Sequence, residues 1–418
     1  MWLLLALACK QDPCAGIQGP KLFVVAPDHE HRHLSEGDRT FTSIQDALDR
    51  AKPGTTICVG DGLYRETPSV FTEDIRLFGG GAGAAIIEPP GAPRPEDSTV
   101  LHLGADDLHV RGFTVRHGST GVFVEPGTEV LLEELSVEAN GVGLLASETG
   151  GLTLRELDLE RNTRIGLLAT ASSSNRHETL LIEGGRIVGN GNLKESEVGG
   201  LYTDTDLELR NVVVRDNTGQ LAGDLRTQGH LSLSQVVVER PATIGGAPRM
   251  VAQDGATLRD VRLDTAGSPG LSVSCRDRGL EGSNLALADS HGGSPSMRLQ
   301  GCTGSLLHVT MLDSSGQGQA ALELSGEGQL ELANSAVVGF AEVAEERRSN
   351  AGLHLGATFV GSAEEAQLLR PLPVDPDLRP QSDSPLVDRG DHLGVEHDLD
   401  GRPRPAGEAP DLGAYELY

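Results

Sequence analysis

The chain repeats itself. Two apolar residues spaced by one, two intervening residues and a second such pair recur as Leu108, Val110, Phe113, Val115, then Val130, Leu132, Leu135, Val137, then Leu152, Leu154, Leu157, Leu159. The pattern resumes at Leu207, Leu209, Val212, Val214, at Leu231, Leu233, Val236, Val238 and at Leu258, Val261, Leu263, with weaker copies at Leu285 and Leu287, Leu307 and Val309, and Leu332 and Val337. Second pairs begin at 113, 135 and 157, then at 212, 236, 261, 285 and 307, with a degenerate copy at Ile187. A period of about 22 to 28 residues is the mark of a stacked array, and it overrides the two or three domains that length alone would suggest. Within each unit apolar and polar residues alternate, which predicts strands with one buried face. A third strand follows a glycine-containing turn: Val122 and Val124, Val142 and Leu144, Leu167, Leu271 and Val273, Leu322 and Leu324. Three short strands per unit predict a coil in which each strand pairs with its counterpart one layer along. A β-hairpin meander is the rival, but it calls for Asn-Gly or Asp-Gly turns between near-equal strands, and this three-strand rhythm lacks them.

Asn140, Asn162, Asn190 and Asn217 each stand three residues after an inward apolar position, Val137, Leu159, Ile187 and Val214. Asparagine tolerates left-handed backbone angles and its amide both donates and accepts, so equivalent positions in successive layers predict a hydrogen-bonded column. A polar binding row is the functional alternative.

Composition narrows the function. Thirty-four Lys and Arg against 61 Asp and Glu leave a net charge of −27 over 418 residues, which repels phosphate and excludes a nucleic-acid groove or a patch for anionic lipid. Cationic partners and divalent ions fit better. Lysines are confined to Lys10, Lys21, Lys52 and Lys194, so positive side chains in any chemistry fall to arginine. With 3% aromatic residues the core must be stacked Leu, Val and Ile.

Residues 1–9, Met-Trp-Leu-Leu-Leu-Ala-Leu-Ala-Cys, look like the end of a bacterial lipoprotein signal, with Cys9 the acylated residue and Trp2 inside the signal. No basic segment precedes the apolar run. Lys10 after the cysteine suits outer-membrane sorting, and no other stretch is long and apolar enough to span a membrane. Cys14, Cys58, Cys275 and Cys302 then remain in an exported chain where disulfides persist. Of the three possible pairings, Cys275 with Cys302 is favoured because each follows an apolar strand pattern and they lie about one repeat apart. Cys14 would then pair with Cys58 and pin the N-terminal segment.

The run Phe41-Thr-Ser-Ile-Gln-Asp-Ala-Leu-Asp-Arg-Ala-Lys-Pro-Gly-Thr-Thr-Ile-Cys-Val-Gly-Asp-Gly-Leu-Tyr-Arg-Glu66 resembles the opening of the right-handed parallel β-helices of the pectin-lyase-like superfamily. Ser43 with Asp46 approximates an N-cap, and Ile44, Ala47, Leu48 and Ala51 form an apolar helix face, which predicts a capping helix over 43–51. The segments Ser384-Pro-Leu-Val-Asp-Arg-Gly390, Asp398-Leu-Asp-Gly-Arg-Pro-Arg404 and Asp411-Leu-Gly-Ala-Tyr-Glu416 are similar to the C-terminal part of many exported bacterial β-helix proteins. The resemblance covers residues 40–418 and implies an all-β fold of about ten three-strand layers. It says little of activity, because the superfamily includes lyases, hydrolases and members with no known reaction.

In enzymes of this fold the site generally lies outside one sheet, near the third strand. Residues there include Glu148, Asp204, Gln228, Asp254, Arg276 and Asp277, flanked by Asp224 and Arg226. The resemblance implies a lyase in which carboxylates hold Ca²⁺ and Arg226 or Arg276 abstracts a proton, or an inverting hydrolase using Asp204 and Asp254. The catalytic candidates are therefore Asp204, Asp224, Arg226 and Asp254. The marks of the better-known enzymes, an Asn-Thr-Asp, Asp-Asp and Gly-His-Gly set or an Arg-x-Pro-x-x-Arg, do not occur. Few rings beyond Tyr64, Tyr202 and scattered phenylalanines are available to stack on a sugar. His29, His31 and His33 would share one side of an extended segment and could take zinc, or lie in a tether. Asp398 and Asp400 resemble part of a calcium loop, and Arg402 and Arg404 pairing with Asp398, Asp400 or Asp411 would instead fix the tail.

The resulting expectation is a signal over 1–9, a tether over 10–40, a β-helix over 41–340 and a closing segment over 341–418. The chain is expected to work as a monomeric, exported scaffold at the bacterial envelope or cell surface, without a required cofactor although Ca²⁺ is possible. It would touch the membrane only through its lipid and bind a polysaccharide or another surface macromolecule. The alternative is a polysaccharide lyase or glycosidase in the third-strand groove.

Overall fold

The computed structural model describes residues 21–26, 39–91, 98–148, 151–171, 178–239, 248–264, 269–289, 294–370 and 377–418. Cys9, Cys14, His29, His31 and His33 lie outside the described residues. The fold is a right-handed parallel β-helix of about 11 turns. Two compact units divide the chain, Met1–Thr163 and Arg164–Tyr418.

In the first unit the alternating pattern builds three parallel sheets, and identical residue types stack because the register carries no offset. Leu108, Val130 and Leu152 align in the first sheet, as do Val110, Leu132 and Leu154. Ile87, Val115, Val137 and Leu159 align in the second sheet, and Leu101, Val122 and Leu144 in the third. All of these are buried. Each such side chain removed from water contributes about 1.5–3 kcal/mol, and the column exists only because every layer repeats it.

The capping helix spans Ile44–Arg50, with Ser43 as N-cap and Ile44, Ala47 and Leu48 buried. A partner invisible to local pattern completes the cap. Glu66 accepts the Ile44 N–H at 2.9 Å, the Gln45 N–H at 2.9 Å and the Ser43 hydroxyl at 2.8 Å, so a carboxylate sits where the helix dipole favours it. Strand Leu22–Val25, inside the range expected to be a tether, pairs in parallel with Thr56–Val59, so ordered pairing starts earlier than the sequence suggested.

The asparagine column exists as hydrogen bonds. In the first unit Asn162 Oδ1 accepts from Asn140 N at 3.1 Å and from Asn140 Nδ2 at 3.2 Å, while Asn140 Oδ1 accepts the Gly118 N–H at 2.9 Å. In the second unit Asn217 Oδ1 accepts from Asn190 N at 3.0 Å and Nδ2 at 2.9 Å. All four side chains are buried.

The second unit repeats the design. Leu201, Leu225, Met250, Leu271, Met297 and Leu322 form one inward column of the third sheet. Cys275 and Cys302, one layer apart, form a disulfide with Cα atoms 4.9 Å apart. Cys58 is also disulfide-bonded. The helix does not end at 340: Phe340–Leu355 pairs with Gly318–Ala333, and Thr358–Gly361 with Ser335–Val338, adding a layer.

Between first and second strands the coil turns on one residue in left-handed conformation, with φ 55° at Asn211, 56° at Gln235, 55° at Asp260, 54° at Asn284, 55° at His308 and 50° at Asn334. Residues 377–418 fold back over this corner and over the outer face of the second sheet. The outward positions there turn apolar: Arg262 and Asp264 are in register with Ala286 and Ala288, and Leu312, Ala336 and Val338 follow. These pack against Leu378, Leu386, Leu412, Ala414 and Tyr415. At Gly413, φ 100°, a Cβ would lie 2.4 Å from the Thr310 hydroxyl, which accepts the Ala414 N–H at 3.0 Å.

Arg404 is sealed inside the closure. Its partner is Glu416 at 2.8 Å, with both side chains at 0% exposure, rather than the expected Asp398, Asp400 or Asp411. Backbone N–H groups hold two of those carboxylates, as the N–H groups of Ala406 and Asp411 hold Glu416. Asp398 accepts from Asp400, Arg402 and Glu416, and Asp411 from Asp388 and Leu417. Arg402 lies over the Tyr418 ring instead.

Arg404 also donates to Nδ1 of buried His308, and burial together with that guanidinium pushes the imidazole down to about 3. An unfolded imidazole protonates near pH 6.5, so the unfolded chain binds the extra proton and stability falls as pH drops below that value. Burial raises the Asp411 and Glu416 carboxyls, and their protonation acts in the opposite sense. His308 should therefore contribute a calorimetric loss of about 1.6 kcal/mol between pH 6.5 and 5. His308→Gln should flatten that slope.

Candidate functional site

The third sheet of the second unit carries the residues expected to be catalytic, and it separates them. Asp204, Arg226 and Asp254 occupy three successive layers, since Thr203, Thr227 and Ala252 are in register. Asp204 and Asp254 are thus two rungs apart, roughly 9.5 Å along the stack. Neither points a bare carboxylate outward. Asp204 accepts the Ala171 N–H from the preceding layer. Asp254 accepts the Asp277 N–H at 3.0 Å; burial acts to raise its carboxyl, but the N–H groups of Asp277 and Arg278 outweigh this and hold it low. Arg226 stands between Tyr202 and Val251 in the outward row, with a buried Nε that has no partner among the described residues. Glu148, Gln228, Arg276 and Asp277 are exposed.

Asp224 is not on the groove at all. It is fully buried, accepts from Asn217 Nδ2 at 3.0 Å and is ion-paired to Arg249, itself 3% exposed. Burial raises its carboxyl against the pull of Arg249 and Asn217. The pair ends the asparagine column of this unit: Arg249 goes on to the carbonyls of Asp264 at 2.6 Å and Glu239 at 3.3 Å. Its place one residue before a strand suggested a flank of the groove, and the buried arginine 25 residues later left no local signal. Asp398, whose oxygens take three backbone N–H groups, is committed to the tail. No group of three or more His, Cys, Asp or Glu among the described residues could hold a metal ion.

The third sheet of the first unit carries a feature the sequence reading passed over. Ser69, His102, Phe123 and Leu145 form one outward row. His102 lies between Phe71, edge-on at 5.0 Å between ring centres, and Phe123, tilted at 5.1 Å. Its Nε2 meets Glu125 Oε1 at 2.8 Å. Phe71 is 62% exposed. A Cβ at Gly104 would lie 2.6 Å from the Phe71 ring and 2.9 Å from the Glu125 carboxyl, so glycine lets these two side chains meet over the strand. The aromatic positions are one layer apart, a spacing that the apolar repeat, had it been extended to outward residues, would have revealed. Tyr64, by contrast, is buried, its hydroxyl donating to Gly60 O at 2.8 Å.

No protein-family model and no curated protein matches the chain. Among solved structures it is similar to the A-module of mannuronan C-5 epimerase AlgE6 from Azotobacter vinelandii, at 16% identity over 76% of this chain and 94% of that one, TM-score 0.49. It is similar also to pectate lyase Pel9A, at 14% identity over 98% and 100%, TM-score 0.41. A third is the A-module of the Azotobacter vinelandii epimerase AlgE4, at 14% identity over 74% and 92%, TM-score 0.39. All three are parallel β-helices of the pectin-lyase-like kind.

If Asp224 and Arg249 are structural, Arg249→Met leaves a buried carboxylate unpaired and should cost about 3–5 kcal/mol in denaturant unfolding. An Arg249→Met protein as stable as the parent would contradict that assignment.

Proposed function

We propose that this protein is a non-enzymatic β-helix scaffold that binds a polysaccharide across the third sheet of its first unit, at Phe71, His102, Phe123 and Glu125. The observation that carries the reading is the ring cluster itself, with Phe71 62% exposed. Exposed rings offer apolar faces to the C–H groups of a sugar, and the imidazole and carboxylate between them can pair with its hydroxyls. The acid chemistry of a lyase or hydrolase has less support, because Asp224, Asp254 and Asp204 are engaged by Arg249 and by backbone N–H groups. A net charge of −27 disfavours a polyuronate and favours a neutral glycan. We further propose export, to which the Cys275–Cys302 disulfide is suited, and attachment to the bacterial envelope through a lipid on Cys9.

Affinity electrophoresis through gels containing laminarin, galactomannan or alginate tests the reading. Retardation by a neutral glycan should weaken about tenfold or more in Phe71→Ala and Phe123→Ala, with melting temperature unchanged. Release of unsaturated or reducing ends from any of these, lost in Asp204→Ala and Arg226→Ala, would replace the scaffold by an enzyme.

A further inference from the structure

The second unit ends on a layer whose inward side chains are uncovered. Leu306, Leu332 and Leu355 stand in one inward column, and Met311, Val337 and Val360 in another. Leu332 and Val337 are fully buried, whereas Leu355 and Val360 are 44% and 46% exposed. The tail packs on the outer face of the second sheet and, among the described residues, leaves these two side chains open. The backbone of the same layer is unmatched as well. Among the described residues Phe340–Leu355 pairs with Gly318–Ala333 alone, and Thr358–Gly361 with Ser335–Val338 alone, so each strand keeps one free ladder edge. A free edge beside apolar side chains is a template for another chain.

The geometry of the end specifies the partner. Its strand edges run around the end of a core, so a partner that meets them together must present edges in the same arrangement with apolar side chains inside. The end layer of a second copy does so. The first unit offers no such layer, because the helix Ile44–Arg50 caps it with Ile44, Ala47 and Leu48 buried. An open end that meets an identical open end makes an isologous contact, which closes at two copies. The two-fold rotation sets the facing strands antiparallel, a geometry in which ladders form readily. Charge and size hold the contact weak. Each copy carries −27, and Glu346, in register with inward Leu324, puts a carboxylate at an inward position of the end layer, a device that restrains strand addition. Arg347 offsets part of this by pairing with Glu345 at 3.0 Å and Glu323 at 3.4 Å. A contact of one layer falls below the about 1,200 Å² of stable interfaces, so it forms and dissolves with concentration.

We propose that two copies of this chain associate end to end about a two-fold axis through the layer 340–361, burying Leu355 and Val360. The contact is independent of the aromatic cluster in the first unit.

Analytical ultracentrifugation of the full chain at concentrations up to about 0.5 mM is the test. It should show a dimer and no larger species, and added salt, which screens the repulsion between two acidic chains, should strengthen it. Leu355→Arg and Val360→Arg make the chain less negative, so electrostatics alone would favour association in both. Each should instead weaken the dimer by about tenfold or more, because a charge then enters the apolar contact. If those variants do not fold, hydrogen exchange of the parent decides: amides of 350–361 should exchange more slowly at high than at low protein concentration, and amides of 44–50 should not change. A monomer at every concentration, as the sequence alone suggested, would overturn the proposal. So would species that grow beyond two copies, a dimer that salt weakens, a dimer unaltered in folded Leu355→Arg and Val360→Arg proteins, or exchange of 350–361 independent of concentration.

Discussion

A coil built of three straight strands must turn sharply, and in the layers from Asn211 to Asn334 the first turn is a single left-handed residue. At Asp260, Asn284, His308 and Asn334, φ lies between 50° and 55°. That conformation strains most L-residues and suits Asn, Asp and His best, so the geometry of the corner selects polar side chains. It also keeps apolar residues inward on both sides of the bend, as with Leu258 and Val261. Because the layers from Asn211 to Asn334 turn at the same place, polar side chains accumulate there in one column on the outside.

The closure of the second unit depends on that column. Asn334 exchanges hydrogen bonds with the Asp391 backbone, His308 takes the Arg404 guanidinium and Asn284 holds the His397 carbonyl. The apolar second-sheet face beside it, from Ala286 to Val338, receives Leu386, Leu412 and Tyr415. Polar corner and apolar face together seat the tail in one register.

How much of this the sequence disclosed follows from where each signal lies. Inward positions repeat one residue type per layer, so the sheets, the asparagine column and the Cys275–Cys302 pairing could be read directly. The weak copies after Leu285 have a physical cause: Ala286 and Ala288 are outward yet apolar because the tail covers them, which erases the alternation. The third strands Leu201–Thr203, Leu225–Thr227 and Met250–Ala252 were hidden by their three-residue length. Site residues were harder, because an Asp next to a strand looks the same whether it faces solvent or, like Asp224, a buried arginine. The ring cluster of Phe71, His102 and Phe123 joins residues from three layers, and no local window contains it.

The claim on which the account rests is that residues 377–418 are an integral wall of the second unit. Hydrogen–deuterium exchange of the intact protein, followed by mass spectrometry, measures this directly. The account predicts that peptides covering 304–313 and 411–416 exchange slowly and lose protection together as denaturant rises. Fast exchange across 377–418 while 304–313 stays protected would contradict it.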